Sequence, residues 1–197
     1  MRGPTWEDVS GGVGLRVTVP VTIGPDEAAR ELAPRLSALA GERAPASSGE
    51  AGARPGVPVV TIDGYSGSGK STLAAALARL VNGWQVLHLD DWYPGWDGLA
   101  EGAHIARRIA ADLRGGRASS YEAWDWENGR TGATISVPLA PTIIEGCGAI
   151  DAEADLSVWI ADPGEDERRS RALARDGQTY APHWQRWADQ DLGRSLP

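Results

Sequence analysis

The stretch GYSGSGKS (64–71) contains the only lysine of the chain; every other one of its 19 Lys and Arg residues is arginine. Its spacing is G-x-x-x-x-G-K-[ST], and the chemistry of that spacing is phosphate binding. Gly64, Gly67 and Gly69 allow a tight turn and close approach of the backbone to oxygen atoms. The backbone from Ser66 and Ser68 through Lys70, Ser71 and Thr72 then directs N–H groups at phosphate, aided by the positive end of the following helix. Lys70 supplies a compact ammonium on a flexible stem, where arginine would supply a bulkier planar fork. The Ser71 hydroxyl is the expected protein ligand for Mg²⁺, and the expected nucleotide is ATP.

Two further groups of residues could act on bound phosphate. LHLDDWYPGWDG (87–98) places Asp90 and Asp91 at the end of an apolar run. In an open α/β sheet the carboxyl ends of strands face the ligand crevice. A carboxylate there can take a proton from an attacking hydroxyl, and Asp90 is the expected base. The competing reading is an Asp pair that ends a strand or caps a helix. Glu145 ends a second apolar run, APTIIEG (140–146), and is the expected second metal residue. EDERRSRALARD (165–176) carries Arg168, Arg169, Arg171 and Arg175 on a helix that opens with Glu165, Asp166 and Glu167. A salt-bridged solvated face is the ordinary reading of such a run. Arg171 and Arg175 are expected to reach phosphate, because a guanidinium can engage two oxygens at once.

These residues need a scaffold that brings strand ends together. VPVVTID (57–63), WQVLHLD (84–90), APTIIEG and LSVWIAD (156–162) read as short buried strands. STLAAALARLV (71–81), LAEGAHIARRIAADLRGG (99–116) and residues 165–176 read as helices between or after them. The alternation predicts an α/β fold, a three-layer sandwich with a mostly parallel sheet of the P-loop NTPase kind. Residues 57–197 form the expected catalytic domain, with a lid around 165–187. Residues 1–56 are an expected N-terminal extension: a strand over 15–23, a helix over 25–40 and a Gly/Ala/Pro/Ser linker over 41–56. Pro20 argues against a central strand position, and Pro34 should kink or split the helix.

The composition limits the function classes. A net charge of −8 disfavours general nucleic-acid binding, which needs an excess of Lys and Arg. Cys147 is the only cysteine, so no intrachain disulfide forms and a cysteine-only zinc site is excluded. No apolar run reaches the length of a signal peptide or a membrane span, and the expected location is the cytoplasm. With one lysine, the Asn-Lys-x-Asp guanine box of GTPase switches cannot exist beside the phosphate loop.

GYSGSGKSTLA, LDDWY, IIEG and RRSRALARDG occur in an order that resembles the uridine kinase-like group of P-loop kinases. That group includes uridine–cytidine, nicotinamide riboside and pantothenate kinases and phosphoribulokinase. The resemblance covers roughly 57–190. It implies transfer of the ATP γ-phosphoryl, with Mg²⁺, to a hydroxyl of a small molecule such as a nucleoside or a related sugar-like compound. It implies Asp90 as base, Trp92 and Tyr93 as the aromatic pair beside the acceptor, and Asp91 as a secondary candidate. Asp125 in YEAWDW resembles the acceptor-contacting Tyr-Asp element, Glu145 the glutamate near metal, and the arginines of 165–176 the lid.

The chain has nine tryptophans and no phenylalanine. Trp96 and Trp126 are expected at the acceptor, since indole suits flat or sugar-like ligands. Trp84 and Trp159, inside strands, are expected in the core, and His183 is expected to be structural. The lid lacks the Glu-Arg-Gly-Arg element of uridine kinases, which puts uridine in doubt. No strand follows the lid, and LRVTVPVTI (15–23) is the candidate to replace it. Another P-loop nucleotide or antibiotic kinase, or a non-catalytic nucleotide-binding regulatory protein, is the alternative reading.

Overall fold

The computed structural model describes residues 5–8, 14–42 and 56–194. The expected 41–56 linker lies almost wholly outside them.

A six-stranded sheet forms the middle layer. Its strands are β1 (Thr5–Asp8), β2 (Leu15–Val19), β3 (Val59–Asp63), β4 (Gln85–His88), β7 (Thr142–Glu145) and β8 (Leu156–Ile160), in spatial order β1-β2-β8-β3-β7-β4. Between β4 and β7 in sequence lie β5 (Ser119–Asp125) and β6 (Arg130–Val137), which form a separate antiparallel hairpin. The five strands from β2 to β4 are parallel, and β1 alone runs antiparallel. This is the α/β three-layer sandwich of the P-loop fold.

Every residue of β3 and of β7 is buried. Such strands must be apolar on both faces, because helices cover both. Val60, Ile62 and Ile143 pack on one side with β2, α1 (Pro25–Glu42) and α2 (Lys70–Ala78). Val59 and Ile144 pack on the other with α3 (Leu99–Arg114) and α5 (Trp184–Leu192). The period-two alternation of a strand thus divides one apolar run between two cores.

β2 pairs in parallel with the free edge of β8, from Leu15 opposite Leu156 to Val19 opposite Ile160. Val17, at its centre, is fully buried. The strand stops before Pro20, which has no N–H to give to a ladder. It is shorter than the expected 15–23 for that reason. α1 contains Pro34 yet runs as one helix. Pro34 lies on its exposed face, where water can satisfy the freed carbonyl, while Leu32, Leu36 and Leu39 continue the buried stripe. Residues 15–42 therefore belong to the same sheet as residues 56–194 and fill the core on one of its faces, where the sequence suggested an extension.

The β5–β6 hairpin and α5 were not foreseen. The hairpin turns at Asn128-Gly129, with Gly129 at φ 60°, the residue pair that suits a tight two-strand connection. Chain 57–197 produced without residues 1–56 is expected to lack a cooperative thermal transition, because the β8 edge and the α1-facing side of Leu73 and Leu77 become exposed. A sharp transition by circular dichroism would show β2 and α1 to be accessory. In the full chain, Leu36→Ala should cost about 2–5 kcal/mol in denaturant unfolding.

Candidate active site

The loop between β3 and α2 turns through two left-handed glycines, Gly67 at φ 80° and Gly69 at φ 105°. α2 begins at Lys70 with Gly69 as its cap, and no side chain caps it. The first-turn N–H groups are therefore left for a ligand. The Lys70 ammonium is buried and donates to the carbonyls of Gly64 (2.9 Å) and Tyr65 (3.1 Å) and towards the Cys147 sulfur (3.3 Å). Burial opposes its charge. The Cys147 sulfur and the carboxylates of Asp191, Glu145 and Asp63 outweigh burial and raise its pKa. Burial pushes the Cys147 thiol up to about 12, so it stays neutral.

A cleft of about 1100 Å³ opens in front of this loop, at the carboxyl ends of the strands. Ser66, Gly67, Gly69, Lys70, Ser71 and Thr72 line one end. Asp90, Asp91, Tyr93, Trp96, Trp126 and Glu145 line the opposite walls. Arg171 and Arg175 reach in from α4 (Glu165–Asp176). The topology thus brings together residues more than one hundred positions apart in sequence.

Asp90 and Asp91 close a short 3-10 turn after β4. Solvent reaches Asp90 through the cleft, yet protein crowds its carboxyl. Desolvation and the Glu145 charge raise its pKa, against the pull of Lys70 and Arg175. The Trp126 indole N–H donates to the Asp90 carbonyl at 2.8 Å and ties the hairpin to this turn. Asp91 accepts only a long 3.5 Å contact from the Tyr121 hydroxyl. Glu145 is 3% exposed and pairs with His88 Nδ1 at 2.6 Å. β4 and β7 set these two side by side in the sheet register. The bond to Glu145 raises the His88 pKa against partial desolvation.

Trp96 anchors an aromatic cluster. It stacks on His183 (4.4 Å) and Tyr180 (5.3 Å) and meets Trp126 at a tilt (4.8 Å). His183, expected only as structural, therefore lines the cleft as well. Trp126 keeps 39% of its surface exposed.

Four expected site residues do not reach the cleft. Trp92 is 2% exposed, stacks on Tyr121 and donates its indole N–H to the Gly102 carbonyl. It is a core residue, because alternation in the turn sends it inward while Asp91 points out. Asp125 accepts hydrogen bonds from Asn128 at the hairpin turn and pairs with Arg130, and those bonds lower its pKa. It organises the hairpin. Gly64 and Ser68 lie within the loop behind its inner face; Gly64 offers its carbonyl to Lys70.

The arginines divide as their helical positions require. Arg168 is buried, bonds Asp162 at 2.8 Å and the Ser66 carbonyl at 3.3 Å, and covers the Tyr65 ring. It braces the loop from outside. Arg169 is exposed and does not line the cleft. Arg171 and Arg175, on the facing side, hold Glu167 and Asp176. Trp84 packs against the core as expected, half-buried. Trp159 is half-buried against Tyr65 instead.

Sequence reasoning missed His88, Tyr180, Asp63, Asp191 and Arg194. Asp63 carried a signal: a carboxylate directly before the loop glycine at the end of a fully apolar strand needs a partner. Nothing in the sequence marked the other four.

Magnesium usually takes few protein ligands and draws the rest from phosphate and water. Ser71 and Glu145, which both line the cleft, fit that pattern. Among the described residues no group of three or more His, Cys, Asp and Glu forms a metal cage.

No protein-family model matches this sequence, and no curated protein matches it. A number of solved structures are similar to this chain, and they include the following two. One is described as a possible uridine kinase from Bacillus stearothermophilus, at 20% identity over 82% of this chain and 92% of that one, with TM-score 0.46. The other is described as a candidate fructose transport system kinase from Silicibacter sp., at 21% identity over 84% of this chain and 96% of that one, with TM-score 0.51. The second likeness supports the fold. No helix among the described residues is long and apolar enough to cross a membrane.

Two outcomes follow from this geometry. In metal-free buffer the His88 ring should titrate above its ordinary 6.5, and Glu145→Gln should bring it down. The raised value means His88 stabilises the fold fully below 6.5 and loses that contribution as pH rises through the raised pKa. NMR titration of the ring protons checks both, and no change in Glu145→Gln would reject the pair. Gly67→Ala should abolish nucleotide binding, since φ 80° disfavours a side chain and its Cβ would run into the Arg168 carbonyl.

Proposed function

We propose that this protein is an ATP- and Mg²⁺-dependent kinase that phosphorylates a hydroxyl of a small molecule. The observation that carries the reading is the shared cleft: the Lys70 loop and the Asp90 carboxylate face one space. Separate placement of either would remove it.

Lys70 leaves its loop carbonyls to meet phosphate oxygen, and the amides of Gly67, Gly69, Lys70, Ser71 and Thr72 surround the phosphates. Ser71 and Glu145 are the residues that would hold Mg²⁺, which when bound would supply charge neutralisation at the phosphates. Arg171 and Arg175 exchange their carboxylate partners for phosphoryl oxygens and help exclude water. Asp90 accepts the proton of the acceptor hydroxyl as that oxygen attacks in line. A raised pKa makes Asp90 a better proton acceptor than an ordinary aspartate.

The acceptor half of the cleft indicates a class. The three Lys and Arg residues that line the cleft, Lys70, Arg171 and Arg175, all sit on the loop or on α4. Asp90, Asp91 and indoles line the same cleft. With Lys70, Arg171 and Arg175 engaged by the phosphates of ATP, a phosphorylated acceptor would meet these carboxylates without a cation of its own. We therefore favour an unphosphorylated ring-bearing alcohol, such as a nucleoside or sugar-like compound, over a nucleotide. Location in the cytoplasm accords with ATP as donor.

ADP release from Mg-ATP tests this across nucleosides, amino and neutral sugars, and the matching monophosphates. Release should depend on an unphosphorylated acceptor. Asp90→Asn should lower kcat by about 10²–10⁴-fold while Mg-ATP binds nearly unchanged. Lys70→Arg should lose both binding and turnover, because the pocket fitted to an ammonium excludes a guanidinium. Preference for monophosphates would reverse the acceptor assignment, and full activity of Asp90→Asn would remove it as the base.

A further inference from the structure

Ser66, in the middle of the phosphate loop, has every polar atom held by the C-terminal part of the chain. Its N–H donates to Asp191 Oδ2 at 2.7 Å. Its hydroxyl shares a 2.9 Å bond with the Tyr180 hydroxyl. Its carbonyl accepts from Arg168 at 3.3 Å. Loops that cradle phosphate usually leave such atoms to neighbours within the loop or to ligand.

Asp191 is itself braced. It is 1% exposed, and its Oδ1 accepts from Arg194 Nε (3.0 Å) and NH2 (2.7 Å). The same guanidinium bonds Asp63 at 2.8 and 3.2 Å. Asp63 is fully buried and also accepts from the N–H groups of Gly64, Gly148 and Ile150. One arginine between two buried carboxylates therefore ties three segments together: the start of the loop, its middle, and the turn that follows Glu145.

We propose that Asp191 is a positioning residue for nucleotide binding. It fixes the direction of the Ser66 N–H and thereby the curvature of the loop, with Arg194 and Asp63 holding it in place. The role rests on the nucleotide-binding reading above. A buried carboxylate suits it, since a charge-assisted bond is shorter and about twice as strong as a neutral one. Arginine suits the brace, because its fork can satisfy two carboxylates in one plane. Asp191 does not line the cleft; it acts on the loop through Ser66, and its charge also supports that of Lys70.

Asp191→Asn keeps the shape and leaves an oxygen to accept the Ser66 N–H, but removes the charge. Its partner variant is Leu113→Ala, in the core beneath α3 and away from the loop, which reports what general destabilisation does to binding. Mg-ATP is titrated calorimetrically into wild type and both variants, at a temperature where all are folded. The Ser66 amide proton is followed by NMR.

Asp191→Asn should bind Mg-ATP about 10-fold more weakly, and the Ser66 amide proton should move upfield. Leu113→Ala should bind within about twofold of wild type with that resonance unmoved. Equal loss in both variants makes the effect one of stability and overturns the role. Undiminished binding by Asp191→Asn overturns it as well. Failure of wild type itself to bind Mg-ATP rejects the nucleotide reading, and this role falls with it.

Discussion

A phosphate loop has to leave the middle of a parallel sheet, and the rest of this molecule follows from keeping β3 there. β3 is buried on both faces and paired along both edges, by β7 and β8. A strand in that position can only be held if β8 is covered in turn. β2 performs that task from the other end of the chain. α1 then closes the face that α2 alone would leave open. Residues 15–42 thus serve the site without lining the cleft: they keep the strand beneath Gly64 from shifting. Register explains why this is enough. The carboxyl ends of β3, β4 and β7 finish at Asp63, His88 and Glu145, so one alignment of strands sets the spacing of loop, acidic turn and Glu145 together.

Electrostatics decides the local geometry once the strands are set. Lys70 is buried beside Asp63, Asp191 and Glu145. Burial alone would neutralise an ammonium, and these carboxylates keep it charged. The carboxylates in turn cannot stand alone. Arg194 serves Asp63 and Asp191, and His88 serves Glu145. Arginine is abundant in this chain and takes every paired, planar role near the site. The single ammonium is kept for the one place enclosed by two carbonyls and a sulfur.

What could be read from the sequence was local. The loop needs eight consecutive residues, and its strand and helix flank it directly, so pattern and mechanism coincide there. Asp90 and Glu145 were legible because each ends an apolar run, and parallel strands end on one side. Trp92 and Asp125 lie off the cleft for local reasons too: Trp92 turns into the core after the acidic turn, and Asp125 is taken up by the hairpin turn at Asn128. β2 was legible as a strand and ambiguous as to partner, since a five-residue apolar run says nothing of the edge it covers. Asp191, Arg194 and Tyr180 were out of reach. Asp191 and Arg194 sit on an amphipathic segment whose pattern, WQRWADQDLGR, is that of any surface helix, and Tyr180 lies in the short turns before it. Their meaning comes from what the sheet brings opposite them, 125 residues away in the case of Asp191 and Ser66.

That long-range contact also bears on how the cleft works as a unit. α4 carries Arg171 and Arg175 into the cleft and, one turn earlier, Arg168 onto the Ser66 carbonyl. Tyr180 joins the Ser66 hydroxyl to the aromatic cluster around Trp96. Trp96 meets Trp126, which holds the Asp90 carbonyl. A continuous series of contacts therefore runs from the phosphate loop through the lid to the acidic turn. Movement of α4 that brought Arg171 and Arg175 onto phosphate would have to move Arg168 and Tyr180, and so would be felt at both Ser66 and Asp90. Under the proposed kinase reading, phosphate contact and alignment of Asp90 would come from one displacement. Water would then be excluded only when both are in place, the condition for favouring an alcohol over hydrolysis.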